Sequence, residues 1–219
     1  MNNKIAIFDF CSTLINFETG DRFIEFIIER INNPTLNKKL EKLQLLKTNF
    51  FLRVIRKFNR GFFAYKKSLL KLIAGLTKEQ ISSFAEQYYH DEIKPNVVSV
   101  TTNLIKELKE DDYHLVILSA GYSEYISLFA KDFGVDNVIA NSFKYHDDIF
   151  TGKTMRKDCY GKEKKKRFLE QYKDYKKLIC VSDSLSDLPI FNIANTKILV
   201  LKSGIDVNVS DDWRVLKWD

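Results

Sequence analysis

The sequence predicts an α/β chain: a parallel β-sheet with helices on both faces, interrupted after its first strand by an all-helical insertion. Three observations predict it. Short β-type apolar runs alternate with helical stretches through the second half of the chain. The first such run, Lys4-Ile5-Ala6-Ile7-Phe8, ends in Asp9, as a buried strand does when it delivers a polar residue to a sheet edge. Between Leu14 and His114 no strand signal appears, and that is a longer helical stretch than a strand-to-strand crossover needs.

Taken in order, the Lys4–Phe8 run leads into Asp9-Phe10-Cys11-Ser12-Thr13-Leu14. In open α/β sheets chemistry gathers where strands end, so Asp9 is a candidate nucleophile or metal ligand. Residues Glu18 to Ile31 then carry Phe23, Phe26, Ile27 and Ile31 at helical spacing, and Pro34 breaks the run. From Asn37 to Ile73 the pattern stays helical through Leu40, Leu43, Leu46, Leu69 and Leu70, punctuated by Gly61 and Gly75. Thr77-Lys78-Glu79-Gln80 reads as a capping box opening a helix towards Ile93, and Pro95 starts another that reaches about Glu110. Residues 17–94 are therefore expected to form a helical cap domain, and residues 1–16 with 95–219 the core domain.

Strands return at Leu115–Leu118 before Ser119, at Asn137–Ala140, at Leu178–Ser182 before Asp183, and at Ile198–Leu201. Helices over Ser123–Phe133 and Lys162–Tyr172 alternate with them. Lys144 to Lys153 suggests a small hairpin with Asp147-Asp148 at its tip.

Composition bounds the function. The chain has 219 residues, 45% hydrophobic and 29% charged, as a soluble globular protein of one α/β domain plus an insertion would. No apolar stretch has membrane-spanning length, and the five-residue apolar start is no signal peptide. Cys11, Cys159 and Cys180 are odd in number and far apart, which fits a reducing, cytoplasmic setting and argues against a zinc site. A net charge of +6 attracts anions in general. A nucleic-acid partner would rest on that charge alone and is not expected. Most of the basic residues in Lys38–Lys71 and in Lys162-Glu163-Lys164-Lys165-Lys166-Arg167 are expected to be solvated helix faces.

Three strand ends carry polar groups suited to a common purpose. They are Asp9, Ser119 and Asp183, the last followed four residues on by Asp187. Carboxylates brought together from distant strands repel, so a cation is needed between them. Hard oxygen donors suit Mg²⁺, which keeps waters and a substrate phosphate in its shell. A lysine and a serine hydroxyl nearby would complete a phosphate pocket.

In this order the motifs resemble the haloacid dehalogenase superfamily: Asp-x-x-x-Thr-Leu after a strand, Ser119-Ala120-Gly121 after a second, a lysine opening a later helix, and Asp183-Ser184-Leu185-Ser186-Asp187-Leu188-Pro189. The chain is most similar to the phosphoserine-phosphatase-like branch with a helical cap. Nearly the whole chain takes part, including Lys94-Pro95, Phe150-Thr151-Gly152 and Cys159-Tyr160-Gly161-Lys162-Glu163-Lys164. The resemblance implies a Rossmann-like core, with Asp9 attacking phosphorus to form an aspartyl-phosphate. It implies Mg²⁺ held by Asp9, the backbone carbonyl of Cys11 and Asp183, with Asp187 orienting the site. Ser119 and the backbone of Ala120 and Gly121 would bind phosphoryl oxygens beside Thr13, and Lys164, or Lys162 in a shifted register, would neutralise charge.

Cys11 departs from the family pattern, because the residue two beyond the nucleophile is usually an aspartate that serves as general acid and base. A thiol can donate a proton but cannot copy a carboxylate. General acid–base catalysis is worth about 10²–10⁴-fold, so the expectation is a slowed Mg²⁺-dependent phosphatase acting on a small phosphomonoester. The alternatives are a phosphotransferase and an inactive phospho-ligand-binding protein. Selectivity is expected in the cap: Glu18 sits where the family contacts a substrate amino group, and Arg53, Arg56 and Arg60 are candidate anion clamps. Phe50, Phe51, Phe58, Phe62 and Phe63 either pack a core or hold a lipid- or sugar-linked phosphate at a transient membrane-surface contact.

Overall fold

The structure, a computed structural model, describes residues 4–48 and 60–219. Its sheet has six parallel strands: β1 (Lys4–Phe8), β2 (His114–Tyr122), β3 (Asn137–Asn141), β6 (Lys177–Ser182), β7 (Thr196–Lys202) and β8 (Trp213–Trp218). Their spatial order is β3-β2-β1-β6-β7-β8. The chain therefore builds outwards from β1 in one direction through β2 and β3, and in the other through β6 to β8. A crevice opens at such a reversal, outside the carboxyl ends of the strands. The ends of β1, β2 and β6 meet there.

Alternation along β1 explains why it is central. Ala6 and Phe8 belong to one apolar cluster, Ile5 and Ile7 to another on the opposite side. A strand buried on both faces needs the near-continuous apolar run that the sequence supplies.

Between β1 and β2 lie α1 (Thr19–Ile31), α2 (Pro34–Thr48), α3 (Arg60–Leu72), α4 (Lys78–Tyr88) and α5 (Ser99–Glu110). Pro34 both ends and begins a helix. Asn32 turns left-handed to close α1, and the Asn33 side chain accepts from Thr35 N and Leu36 N to open α2, with Pro34 in the first turn where its missing N–H costs nothing. α1 buries Phe23, Phe26 and Ile27 in the same cluster as Phe8, so the inserted helices share a core with one face of the sheet.

Thr77 caps α4 as its spacing predicts: its hydroxyl accepts from Gln80 N at 3.1 Å, and the Gln80 side chain accepts from Thr77 N at 2.9 Å. Thr77→Ala is expected to cost about 1 kcal/mol, lowering the melting temperature by about 2–4 °C in a thermal scan followed by circular dichroism.

Two sequence expectations need correction, and one strand goes unanticipated. The helix assigned to start at Pro95 begins at Ser99; α4 runs instead into a π-helical turn (Tyr89–Ile93) and a 3₁₀ turn (Lys94–Asn96) that contains Pro95. Lys94, before the proline, is itself right-handed helical; the chain turns extended only at Val97 and Val98, so the new helix opens at Ser99. β2 does not stop before Ser119 but continues to Tyr122, shifting register against β3 between Leu118 and Tyr122. Finally, β8 is an edge strand whose Arg214 and Lys217 break the apolar signal, as charged residues do at exposed edges.

A separate hairpin, β4 (Phe143–His146) with β5 (Ile149–Thr154), turns through Asp147 and Asp148, at φ of 48° and 58°. Two adjacent positive φ values match the twist that a two-residue hairpin turn requires. Backbone bonds from Gly75 N to Phe150 O and from Phe150 N to Leu76 O dock the hairpin on the inserted helices. The remaining helices are α6 (Ser123–Phe133), α7 (Lys162–Gln171) and the short α8 (Leu188–Phe191).

Candidate active site

The strand ladder runs one residue beyond β1: Asp9 N donates to Val181 O at 2.9 Å, which places Asp9 beside the end of β6. Its Oδ1 accepts from Phe10 N at 2.7 Å and lies 2.9 Å from Lys164 Nζ. Lys164 reaches this point from the first turn of α7, which follows Gly161 at φ +55°, a conformation that suits a residue without Cβ. The same Nζ donates to Asp187 Oδ2 at 2.7 Å, and Ser182 Oγ donates to that oxygen at 2.8 Å. One buried ammonium thus joins two carboxylates from different strand ends. Lys162, the alternative in the basic run, is exposed.

Thr13 ties the first loop to the last. Its hydroxyl donates to Asp183 Oδ1 at 3.0 Å and accepts from Asp183 N at 2.9 Å. Ser119 is fully buried, and its Oγ accepts from Gly121 N at 3.0 Å. A Cβ on Gly121 would fall 2.5 Å from the Tyr125 hydroxyl, so only glycine fits there. Cys11 Sγ lies 3.1 Å from Thr19 Oγ1, which is itself 2.7 Å from the Tyr125 hydroxyl.

These elements surround one cavity of about 500 Å³. Asp9, Cys11, Asp183 and Lys164 line its floor, with Ser119, Ala120 and Gly121 on one side and Glu18 at the start of α1. Thr13 and Asp187 stand behind this wall, acting on Asp183 and on Lys164. Sequence spacing alone does not single out Asp21 and Lys66, which also line the cavity. Lys66 has a readable signal: it shares the buried face of α3 with Tyr65, Leu69 and Leu70, where a lysine is out of place unless paired. Arg53, Arg56, Phe50, Phe51 and Phe58 lie outside the described residues, as do the side chains of Arg60, Phe62 and Phe63.

Charge is crowded here. Burial raises the Asp9 pKa; Lys164 pulls it down, while Asp187 and Asp183 push it up, and it settles at about 7. Burial also raises Asp183. Burial opposes the charge on Lys164, but Asp9 and Asp187 overcome it and hold the ammonium above its usual range. Burial, then Glu18 and Asp9, push the Cys11 thiol up to about 12, so it stays protonated at neutral pH.

The Asp9 shift has a sign that can be measured. Its pKa rises from an ordinary 3.8 to about 7 in the folded protein, so the folded state holds the extra proton between those values. Stability from this group is full below the lower value and is lost as pH climbs through the upper one. Compared without metal, Asp9→Asn is expected to gain in melting temperature relative to the unaltered chain between pH 4 and pH 7 (about the two pKa values). A gap that stays flat or narrows with pH contradicts the assignment.

The haloacid dehalogenase-like hydrolase family matches residues 6–192. The phosphoserine phosphatase of Lactococcus lactis is 29% identical over 139 residues, spanning 61% of this chain and 62% of that protein, less than two thirds of its length. The phosphoserine phosphatase of Methanocaldococcus jannaschii is 25% identical over 218 residues, 93% of this chain and 90% of that one. A crystal structure of a Bordetella pertussis protein of unknown function superposes with a TM-score of 0.77 at 18% identity, covering 99% of both chains, and shares the fold.

Proposed function

Because the chain belongs to the haloacid dehalogenase-like hydrolase family, we propose that it is a Mg²⁺-dependent phosphatase that cleaves a small phosphomonoester through an aspartyl-phosphate on Asp9. The observation that carries this reading is the Lys164 ammonium set between Asp9 and Asp187, in a cavity that the Ser119–Gly121 stretch of β2 also lines. The activity of the related phosphoserine phosphatases supports the same reaction class.

The donors present fit the ion. Asp9 and Asp183 offer carboxylate oxygens and Cys11 a main-chain carbonyl, all hard ligands. Asp9 and Asp187 share the one Lys164 ammonium, with Asp183 nearby, and Asp187 Oδ1 is buried without a hydrogen-bond partner among the described residues, so the cluster has acceptor capacity that Lys164 does not fill. Among the described residues no group of three His, Cys, Asp or Glu side chains is placed to hold a metal ion by itself, so Asp9 and Asp183 would share the ion with main-chain oxygen and water. The chemistry such an ion supplies is positive charge against the phosphoryl oxygens.

This chain's own residues do the remainder. Asp9 Oδ1 accepts from Phe10 N and faces Lys164, which leaves Oδ2 to attack phosphorus. Lys164 and the Ser119 hydroxyl balance charge that develops on the phosphoryl oxygens. The P–O ester bond breaks and the Cys11 thiol donates its proton to the leaving alkoxide. Water then attacks the acyl phosphate, releasing phosphate and restoring Asp9. A thiolate left by the first step takes the proton from that water.

The helices over residues 17–94 act as the cap in this reading, with Glu18 facing the part of the substrate beyond the phosphate. The protonated thiol favours a second outcome, an acyl phosphate that lasts long enough to pass its phosphoryl group to an acceptor other than water. A lipid- or sugar-linked substrate rests on the Phe50–Phe63 segment; no helix among the described residues is long and apolar enough to cross a membrane.

A phosphate-release assay over a panel of phosphorylated metabolites with Mg²⁺, run beside Asp9→Asn as a blank, tests the proposal. Release by the unaltered chain alone supports it. No release from any compound, with phosphorylated ligands still bound, points to the inactive, ligand-binding alternative; labelled phosphate trapped on Asp9 points to transfer.

A further inference from the structure

Lys66 does something that the reaction above does not use. It is 6% exposed, and its Nζ leaves α3 to donate to Ala120 O at 2.7 Å and to Asp158 Oδ1 at 2.7 Å. Ala120 O also accepts from Asn141 Nδ2 at 2.7 Å, and the Asn141 Oδ1 accepts from Cys159 N at 2.9 Å. An inserted helix is therefore bonded, through a buried cation, to the carbonyl in the middle of the Ser119–Gly121 stretch at the end of β2.

That carbonyl belongs to the same peptide unit as Gly121 N, which donates to Ser119 Oγ. A cation on a carbonyl draws electron density through the amide and makes its N–H a stronger donor; hydrogen bonds in series polarise one another. The Ser119 oxygen is then held as an acceptor from behind, and its own proton is free to point into the cavity. We infer that Lys66 is a positioning residue, which ties the inserted helices to the phosphoryl-binding serine through the Ala120–Gly121 peptide. This rests on the reading of Ser119 as a phosphoryl ligand.

Asp158 completes the device. Its Oδ2 is buried without a hydrogen-bond partner among the described residues, and its Oδ1 also accepts from Asn141 Nδ2, so removing Lys66 would leave the carboxylate that amide donor but take away the cation that neutralises it. Lys66 thus acts twice on the core side: it neutralises Asp158 and grips Ala120.

Because Lys66 also lines the cavity, the test separates action through Ser119 from direct contact with the ligand. The probe is inorganic phosphate, titrated calorimetrically with Mg²⁺ into the full chain, Lys66→Met, Ser119→Ala and the double variant. Loss of a charge-assisted bond is expected to weaken phosphate binding about tenfold in Lys66→Met, but less than about twofold when Ser119 is already alanine, since residues acting through one another are not additive. Lys66→Arg should restore most of the affinity. If Lys66→Met does not fold, Lys66→Met with Asp158→Asn, uncharged at both positions, takes its place in both backgrounds. Equal losses in the two backgrounds, or no loss, overturn the inference. An unaltered chain that binds no phosphate refutes the phosphoryl-site reading itself and this inference with it.

Discussion

Asp9→Asn is expected to release no measurable phosphate from any substrate the unaltered chain turns over. Asparagine keeps the size of the side chain and an oxygen that can accept from Phe10 N, but an amide does not attack phosphorus at a useful rate. Losing a catalytic nucleophile costs on the order of 10⁶ in kcat where it has been measured in a serine protease, and a comparable collapse is expected here. The variant should stay folded. Asp9 is one of several crowded carboxylates whose mutual repulsion, together with burial, raises its pKa, so neutralising it relieves strain while Lys164 keeps Asp187 as a partner. A melting temperature at or above that of the unaltered chain, with no turnover, separates chemistry from stability. Residual phosphate release within about tenfold of the unaltered rate would remove Asp9 from the nucleophile's role, since a factor so small equals only about 1.4 kcal/mol of barrier.

Cys11→Asp is expected to move the other way and raise the rate of phosphate release by about 10²–10⁴-fold, the usual worth of a positioned general acid–base group. The thiol at this position is held protonated by burial and by the charges of Glu18 and Asp9, which makes it a weak acid towards the leaving group and leaves no base for water once solvent has returned its proton. A carboxyl in the same place would feel the same neighbours, and its pKa would rise towards neutrality, where a group that must act as acid and then as base works best. The substitution should also cost stability, about 1–3 kcal/mol, because another buried carboxylate joins the cluster and the sulfur contact with Thr19 is lost. Single-turnover kinetics divide the effect. If Cys11 limits breakdown of the acyl phosphate, the second step accelerates more than the first, and any phosphoryl transfer to other acceptors declines. A variant that is folded yet no faster would show that the limit lies elsewhere.

Much of the site is readable in the residues. Asp9, Ser119 and Asp183 each follow a short apolar run, and such runs become strands because alternate side chains can bury on two faces. Once they form adjacent parallel strands their ends lie together, so three distant segments announce one crevice. The capping box at Thr77 and the aspartate pair of the hairpin are equally local, because the hydrogen bonds that define them span only three or four residues. β8 escapes such reading: an edge strand needs little apolar character, and its charged residues face solvent. Lys66 is half legible: its spacing to Leu69 and Leu70 puts it on the apolar face of its helix, but its partner Asp158 lies 92 residues later and no local pattern names it.

By itself, then, the sequence determined that Asp9 and Asp183 stand at the ends of β1 and β6 and that helices separate the first strand from the second, because those follow from patterns a few residues long. Only the tertiary structure decided the partnerships: Lys164 rather than Lys162 against Asp9 and Asp187, Thr13 on Asp183, the thiol of Cys11 on Thr19, and Lys66 on the Ala120 carbonyl. Each of these depends on distances of about three ångströms between segments remote in the chain, and no local periodicity carries that information.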